Sequence, residues 1–329
     1  MDHNRTGKPQ EAEVFISVVV PAYNEEERLG GMLEEAVDYL QNQFWGMHKG
    51  SSTATAPHSK EAQRTSKGRK QQNGTVGTSP LPETAKGWEI LIVSDGSTDK
   101  TIEMALSFVR DHQLFLHPTP VPGPRTPHPD HSTQIPSGAI RVISLEENRG
   151  KGGAVVHGMR HVRGEYVVFA DADGASEFSD LGQLVEECRR IKDSQGRGVA
   201  VGSRAHLVGS EAVVKRSFLR NFLMHSFHLF LRILTPPATA AIKDTQCGFK
   251  LFSRPCLPYI IPFMHSQGWI FDVEMLMLAE YAGIPVTEVA VGWKEIGGSK
   301  LNVIWDSLGM AWGLAVLRAA WALGVYRRD

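Results

Sequence analysis

The chain of 329 residues carries 35 Lys and Arg against 36 Asp and Glu, with 42% hydrophobic residues, enough for one large α/β domain or two modest ones. A net charge near zero excludes a whole-chain field that would collect nucleic acid or an acidic polymer, so an anionic ligand must be held by local cations. Cys188, Cys247 and Cys256 are too few and too scattered for a disulfide framework or a zinc site and read as small buried residues.

Residues 1–13 read as a flexible N-terminus. No signal peptide is predicted, because the first apolar run, Val14 to Val20, is short, follows a charged stretch and leads into a turn. The first strand, Ile16–Val20, ends at Pro21-Ala22-Tyr23-Asn24-Glu25-Glu26, before a helix over Glu26–Gln43. Such a loop can hold a base and ribose, with the Tyr23 ring available for stacking; the alternative is a plain strand-to-helix turn whose acids favour the helix dipole.

Residues 46–86, rich in Ser, Thr, Lys, Gln and Gly, and 113–138, crowded with Pro and His, read as disordered insertions that bury too little apolar surface to offset their ordering entropy. Between and after them, short β-branched runs alternate with helical stretches, the pattern of a mainly parallel sheet with crossover helices. The strand Glu89–Ser94 leads into Ser94-Asp95-Gly96-Ser97-Thr98-Asp99 and a helix over Asp99–Asp111. Asp95 suits ribose hydroxyls or a base edge, Gly96 allows close approach, and Ser97 or Thr98 reads as an N-cap.

The strand Ile140–Ser144 precedes Asn148-Arg149-Gly150-Lys151-Gly152-Gly153-Ala154 and the helix Lys151–His161. This Gly-rich turn is expected to aim backbone N–H groups at an anion, with Lys151 adding charge, although it lacks P-loop spacing. The strand Tyr166–Ala170 then ends at Asp171-Ala172-Asp173-Gly174, before the helix Phe178–Asp193 and the strand Val199–Gly202. Carboxylates at i and i+2 project to one side of extended chain, so Asp171 and Asp173 can hold one hard divalent cation; the alternative is a solvated acidic turn.

Beyond the strands, Arg204, Lys215, Arg216, Arg220 and Lys300 offer cations. Arg204, Arg216 and Lys300 are the candidates for gripping phosphate. Ser217–Leu234 reads as a core helix or as an interfacial one. Asp244 lies in Lys243–Phe252, and Asp272 and Glu274 follow Trp269. Acids in apolar settings need partners or a function: Asp244 is read as functional, Asp272 and Glu274 as a helix-start acid and an ion pair. Val303–Val325 is strongly apolar but interrupted by Asp306 and Arg318, which favours a helix lying on a membrane over one crossing it.

Taken in order, the Pro21–Glu25 loop, SDGSTDKT, NRGKGGAV, ADADG, DTQCGFKLF and WKEIGGSKL resemble the inverting GT-A nucleotide-diphosphosugar transferases, and among them the dolichyl-phosphate β-glucosyltransferases. The resemblance runs from Ile16 to about Leu301 outside the insertions. It implies a Rossmann-like GT-A domain over residues 14–300, followed by a membrane-interface helix over 301–329. It also implies nucleotide-sugar contacts from Pro21, Ala22, Tyr23, Glu25, Asp95, Gly96, Lys151, Asp171, Ala172 and Asp173, and Mg2+ or Mn2+ on Asp173 and Asp171. Asp244 and Asp173 would be catalytic, and Arg204, Arg216 and Lys300 would hold the acceptor phosphate.

The implied reaction moves glucose from UDP-glucose to dolichyl phosphate with inversion, for protein N-glycosylation at the cytosolic face of the endoplasmic reticulum membrane. Eukaryotic proteins of this kind usually begin with a membrane-spanning helix, which is not read here. A mannosyl transfer from GDP-mannose and a non-catalytic nucleotide-sugar sensor are the alternatives.

Overall fold

Strands form where β-branched and aromatic residues cluster, and here the alternating residues of the central strands are buried on two opposite faces of one sheet. The computed structural model describes residues 12–45, 87–112, 139–207, 229–294, 296 and 303–326. Both insertions, Lys215, Arg216, Arg220, Lys300 and most of Ser217–Leu234 lie outside these residues.

The strands are β1 (Val14–Ala22), β2 (Trp88–Asp95), β3 (Ile140–Leu145), β4 (Gly164–Ala170), β5 (Val199–Ser203), β6 (Phe249–Ser253) and β7 (Val286–Ala290). They form a seven-stranded sheet in the order β3-β2-β1-β4-β6-β5-β7. Pairing is parallel except around β6, which runs antiparallel to β4 and β5. In the central register Val18 lies between Ile90 on β2 and Val168 on β4.

The helices are α1 (Leu29–Leu40), α2 (Thr101–Asp111), α3 (Gly150–Met159), α4 (Leu181–Ile191), α5 (Pro237–Ala241), α6 (Leu257–Ile260), α7 (Phe271–Tyr281) and α8 (Val303–Ala322). Helices α1, α2 and α4 cover one sheet face, where Leu33, Phe108 and Leu184 meet Ile16, Val18, Val20, Val168 and Leu251. On the other face, α3 and α7 bring Val155, Met159 and Phe271 against Val19, Val167, Phe169 and Phe252. The period-two alternation along β1 and β4 is therefore apolar on both sides, as a covered parallel sheet requires.

The five strands and four helices named from sequence are all present, with no end shifted by more than three residues. Residues 41–45 leave α1 as a π-helical turn, and 178–180 form a 3-10 turn ahead of α4. The expected capping of α2 by Ser97 or Thr98 is not what forms. Its first N–H, from Thr101, donates to Asp99 Oδ1 at 3.0 Å.

At the N-terminal edge of the sheet, fully buried Glu89 accepts from Ser17 Oγ at 2.6 Å, Arg141 at 2.7 Å and Arg163 Nε at 2.9 Å. A buried carboxylate with this many donors is compensated in place, and it ties β1, β2, β3 and the start of β4 together. The loops at the opposite, C-terminal ends of β1, β2 and β4 are left to carry the polar clusters, where ligands of open α/β sheets bind.

Candidate active site

The loops after β1 and β2 are fastened to each other. Asn24, at φ 54°, donates its N–H to Ser97 Oγ at 3.1 Å and accepts from Thr98 N–H at 2.8 Å through Oδ1. The Glu25 N–H donates to Thr101 Oγ1 at 2.7 Å, while its carboxylate pairs with Arg28 at 2.6 Å. Pro21 and Ala22 are the last residues of β1, opposite Val93 and Ser94. Beyond them the Tyr23 ring is 42% exposed, an apolar surface facing solvent where the strand ends.

Asp95 is buried and accepts the Arg149 N–H at 2.7 Å. Burial pushes its pKa up, against the pull of the Arg149 and Gly150 amides. Gly96 has φ 68°, and a Cβ there would stand 2.7 Å from the Asn148 nitrogen. Only glycine lets the β2 loop lie this close to the β3–α3 loop.

The Gly-rich turn does not present its amides as the sequence suggested. The Gly152 and Gly153 N–H groups donate to the Gln267 carbonyl at 2.7 and 3.3 Å. A Cβ on Gly152 would lie 2.6 Å from Phe271 Cβ. These glycines therefore let the 266–271 segment pack on the start of α3, and the carbonyl satisfies donors that an anion would otherwise take.

Lys151, just ahead of them, turns toward the carboxylates after β4. Its Nζ lies 2.6 Å from Asp171 Oδ1 and 5.5 Å from the centre of the Trp269 ring. Burial pulls its pKa down, but the carboxylates of Asp171, Asp272 and Asp173 outweigh that pull and raise it overall, so the side chain is an ammonium at neutral pH.

Asp171, Ala172 and Asp173 follow the end of β4, with Ala172 buried and both acids part-exposed. Asp173 Oδ1 accepts the Ala175 N–H at 3.0 Å. Burial raises the Asp173 pKa, and the neighbouring Asp171 charge raises it further. Two adjacent carboxylates with one ammonium retain surplus negative charge on hard oxygen donors, which suits a divalent cation. Among the described residues no group of three His, Cys, Asp or Glu gathers for metal binding; the carboxylates at the end of β4 are these two.

Gly248 bears on the same point. A Cβ on it would fall on the Asp171 carboxylate, so the absence of a side chain at 248 leaves the space that Asp171 occupies.

Beyond β5 and before β6, Asp244 accepts from Arg204 Nε at 2.7 Å, Arg204 Nη2 at 2.9 Å and the Arg204 N–H at 2.9 Å. Burial works to raise the Asp244 pKa, but the Arg204 guanidinium prevails and holds it below the usual carboxylate value. Arg204 and Asp244 thus act as one rigid unit. Arg216 and Lys300, the other candidate phosphate ligands, lie outside the described residues.

Several polar residues around the site escaped the sequence reading. Glu288 on β7 accepts the Lys243 and Asp244 N–H groups at 2.9 and 3.1 Å, fixing the turn that aims Asp244. Lys250 on β6 is fully buried; its Nζ donates to the Cys247 carbonyl at 2.6 Å and pairs with Asp272 at the start of α7. Fully buried Glu274 accepts the Ser266 N–H at 2.7 Å and holds the loop that meets α3. Asp272 and Glu274 are thus the helix-start acid and ion-pair residues expected, with structural partners. The signal for Lys250 was present: a lone cation in Phe-Lys-Leu-Phe must find an anion if that run becomes an interior strand.

An apolar surface adjoins this polar floor. Helix α8 exposes Leu308, Trp312 and Val316, and the helical residues 229–234 expose Leu229, Phe230 and Ile233. The two helical segments pack on α7 through Leu231, Leu314, Leu317, Val273 and Met277. Gln246 Nε2 reaches Met310 Sδ on α8 at 2.6 Å. Among the described residues no helix is long and apolar enough to cross a membrane.

The sequence matches the model of glycosyl transferase family 2 over residues 128–251, a span that holds the Asp171–Asp173 pair and Asp244. It is 38% identical over 321 residues to the dolichyl-phosphate β-glucosyltransferase of Saccharomyces cerevisiae, covering 96% of this chain and 77% of the relative. It is 34% identical to the human protein of that name, covering 95% and 78%. Among solved structures, glucosyl-3-phosphoglycerate synthase from Mycobacterium tuberculosis, in complex with Mn2+, UDP and glucosyl-3-phosphoglycerate, superposes with a TM-score of 0.52 at 16% identity, covering 93% of this chain and 80% of that one. That likeness shows the GT-A fold, and the identity to the curated relatives shows more: the chain belongs to the dolichyl-phosphate β-glucosyltransferase family of glycosyltransferases.

Proposed function

We propose that the protein transfers glucose from UDP-glucose to dolichyl phosphate with inversion, at a membrane surface on the cytosolic face of the endoplasmic reticulum. The observation that carries this reading is one juxtaposition. The Lys151–Asp171 pair, Asp173 and the Arg204–Asp244 unit share the C-terminal side of the sheet with an exposed apolar helical surface. A soluble acceptor would not need that surface; a lipid phosphate does.

The uridine would lie across the β1 and β2 loops, stacked near Tyr23, with Asp95 setting the base and ribose edge. Asp173, with Asp171, would hold Mg2+ or Mn2+, the ions seen with UDP in the M. tuberculosis synthase structures; when bound, the cation neutralises charge on the departing diphosphate. Lys151 adds a fixed ammonium on the same side. One acceptor phosphate oxygen forms a bond to the anomeric carbon as the bond from that carbon to the UDP oxygen breaks. UDP leaves with the bonding electrons. A phosphate monoester is already anionic at neutral pH, so no strong general base is needed, and Asp244, held ionised by Arg204, orients the sugar or the acceptor.

The test is UDP release from UDP-glucose with Mg2+, with and without a short-chain dolichyl phosphate. Release that requires the lipid supports the reading. Lipid-dependent GDP release from GDP-mannose with no UDP release from UDP-glucose, or donor binding without lipid-dependent release, overturns it.

A further inference from the structure

Four charges of alternating sign run inward from the end of β4. Asp171 pairs with Lys151, Lys151 is attracted in turn by Asp272, and Asp272 pairs with Lys250. The outer two are part-exposed, whereas the inner two are buried in the core. The fold fixes each link. Lys250 on β6 lies opposite Phe169 on β4, two residues ahead of Asp171. Its Nζ sits 5.2 Å from the centre of that ring and donates to the Cys247 carbonyl at 2.6 Å. Asp272 follows Phe271 at the start of α7, and a Cβ on Gly152, the residue after Lys151, would stand 2.6 Å from Phe271 Cβ. The starts of α3 and α7 are thus held against each other, and the Asp272 carboxylate acts on both ammonium groups.

A buried Lys–Asp pair is a poor source of stability, since desolvation offsets the attraction and an apolar replacement of both is often as stable. Its link to Lys151 gives it a use. Asp171 has a divided role: an oxygen shared with a divalent cation attracts Lys151 less. Asp272, buried and held by Lys250, has no such competing duty. We infer that Asp272 is a positioning residue for Lys151, holding the ammonium at the departing diphosphate when Asp171 turns its charge to the cation. The inference rests on the placement of Lys151 in the proposed reaction.

The experiment measures binding of uridine and of UDP, each with Mg2+, to the full chain by titration calorimetry. Asp272→Asn alone strands the Lys250 charge in the core and threatens the fold. The variant used is therefore Lys250→Met/Asp272→Asn, which removes both charges at nearly constant volume, with melting to confirm that it folds. It should bind uridine as wild type does, because the β1 and β2 loops are untouched. UDP should bind at least about tenfold more weakly, the scale of one hydrogen bond to a charged group. Lys151→Met should cost wild type a similar factor and the double variant little more, because the changes remove one shared interaction. Wild-type UDP affinity in the folded double variant, equal loss of uridine and UDP binding, or a Lys151→Met cost of the same size in both backgrounds overturns the role of Asp272 and leaves the proposed reaction standing. Unchanged UDP affinity on Lys151→Met in wild type overturns the placement of Lys151 at the diphosphate, and the inference with it.

Discussion

Gly248→Ala isolates the geometry of Asp171. The φ of Gly248 lies outside the left-handed region, so alanine suits the backbone and only the added methyl acts. That methyl would land on Cγ, Oδ1 and Oδ2 of Asp171, well inside ordinary contact, and the backbone on which it sits is anchored at the start of β6. The carboxylate must therefore move by about an ångström or more, away from a Lys151 ammonium now 2.6 Å distant. A displacement of that size in a reacting site costs on the order of 100-fold in rate. The cost in stability is near the lower end of the roughly 1–3 kcal/mol typical of overpacking, because the Asp171 side chain is 29% exposed and can swing outward. Steady-state rates with UDP-glucose and a polyprenyl phosphate, alongside thermal melting, test this. A folded Gly248→Ala protein that turns over at the wild-type rate would refute the role given to the Asp171–Lys151 pair.

Three further predictions follow from the same geometry. Asp173→Asn should lower turnover by about 100-fold or more, the scale of losing transition-state charge stabilisation, while melting is unchanged; a variant of undiminished rate would remove Asp173 from the metal assignment. Glu89→Gln leaves Arg141 and Arg163, both part-exposed, without their buried counter-charge and should destabilise by about 1–3 kcal/mol, with activity per folded molecule unchanged, which melting and active-site titration can separate. Asp244 has a depressed native pKa, so its stabilisation is complete above the unfolded-state value of about 3.9 and is lost as pH falls through the lower native value. Acid unfolding of Asp244→Asn should lack that component, and identical acid transitions in variant and wild type would refute the pairing.

Much of the sheet was legible because β1, β2 and β4 are apolar runs covered on both faces, and each of them ends at a polar cluster. Strands β6 and β7 were not read. Phe249–Ser253 holds a cation, and Val286–Ala290 holds Thr287 and Glu288. Their polar residues are compensated by Asp272 and by the amides of Lys243 and Asp244, partners that sequence spacing does not reveal.

At the site, the positions of Asp95, Lys151, Asp171 and Asp173 at element ends followed from the pattern. Their pairings did not, because Arg204 meets Asp244 across 40 residues of sequence and Gln267 reaches the α3 amides from a loop more than a hundred residues away. The Gly-rich turn shows how two readings diverge: open amides and amides closed by a carbonyl demand the same glycines.

The most direct test of the account is the product itself. With UDP-glucose labelled at the anomeric carbon, Mg2+ and dolichyl phosphate, the account predicts a β-linked dolichyl glucosyl phosphate, read from the anomeric coupling by NMR. An α-linked product, or labelled glucose released only to water, would contradict it.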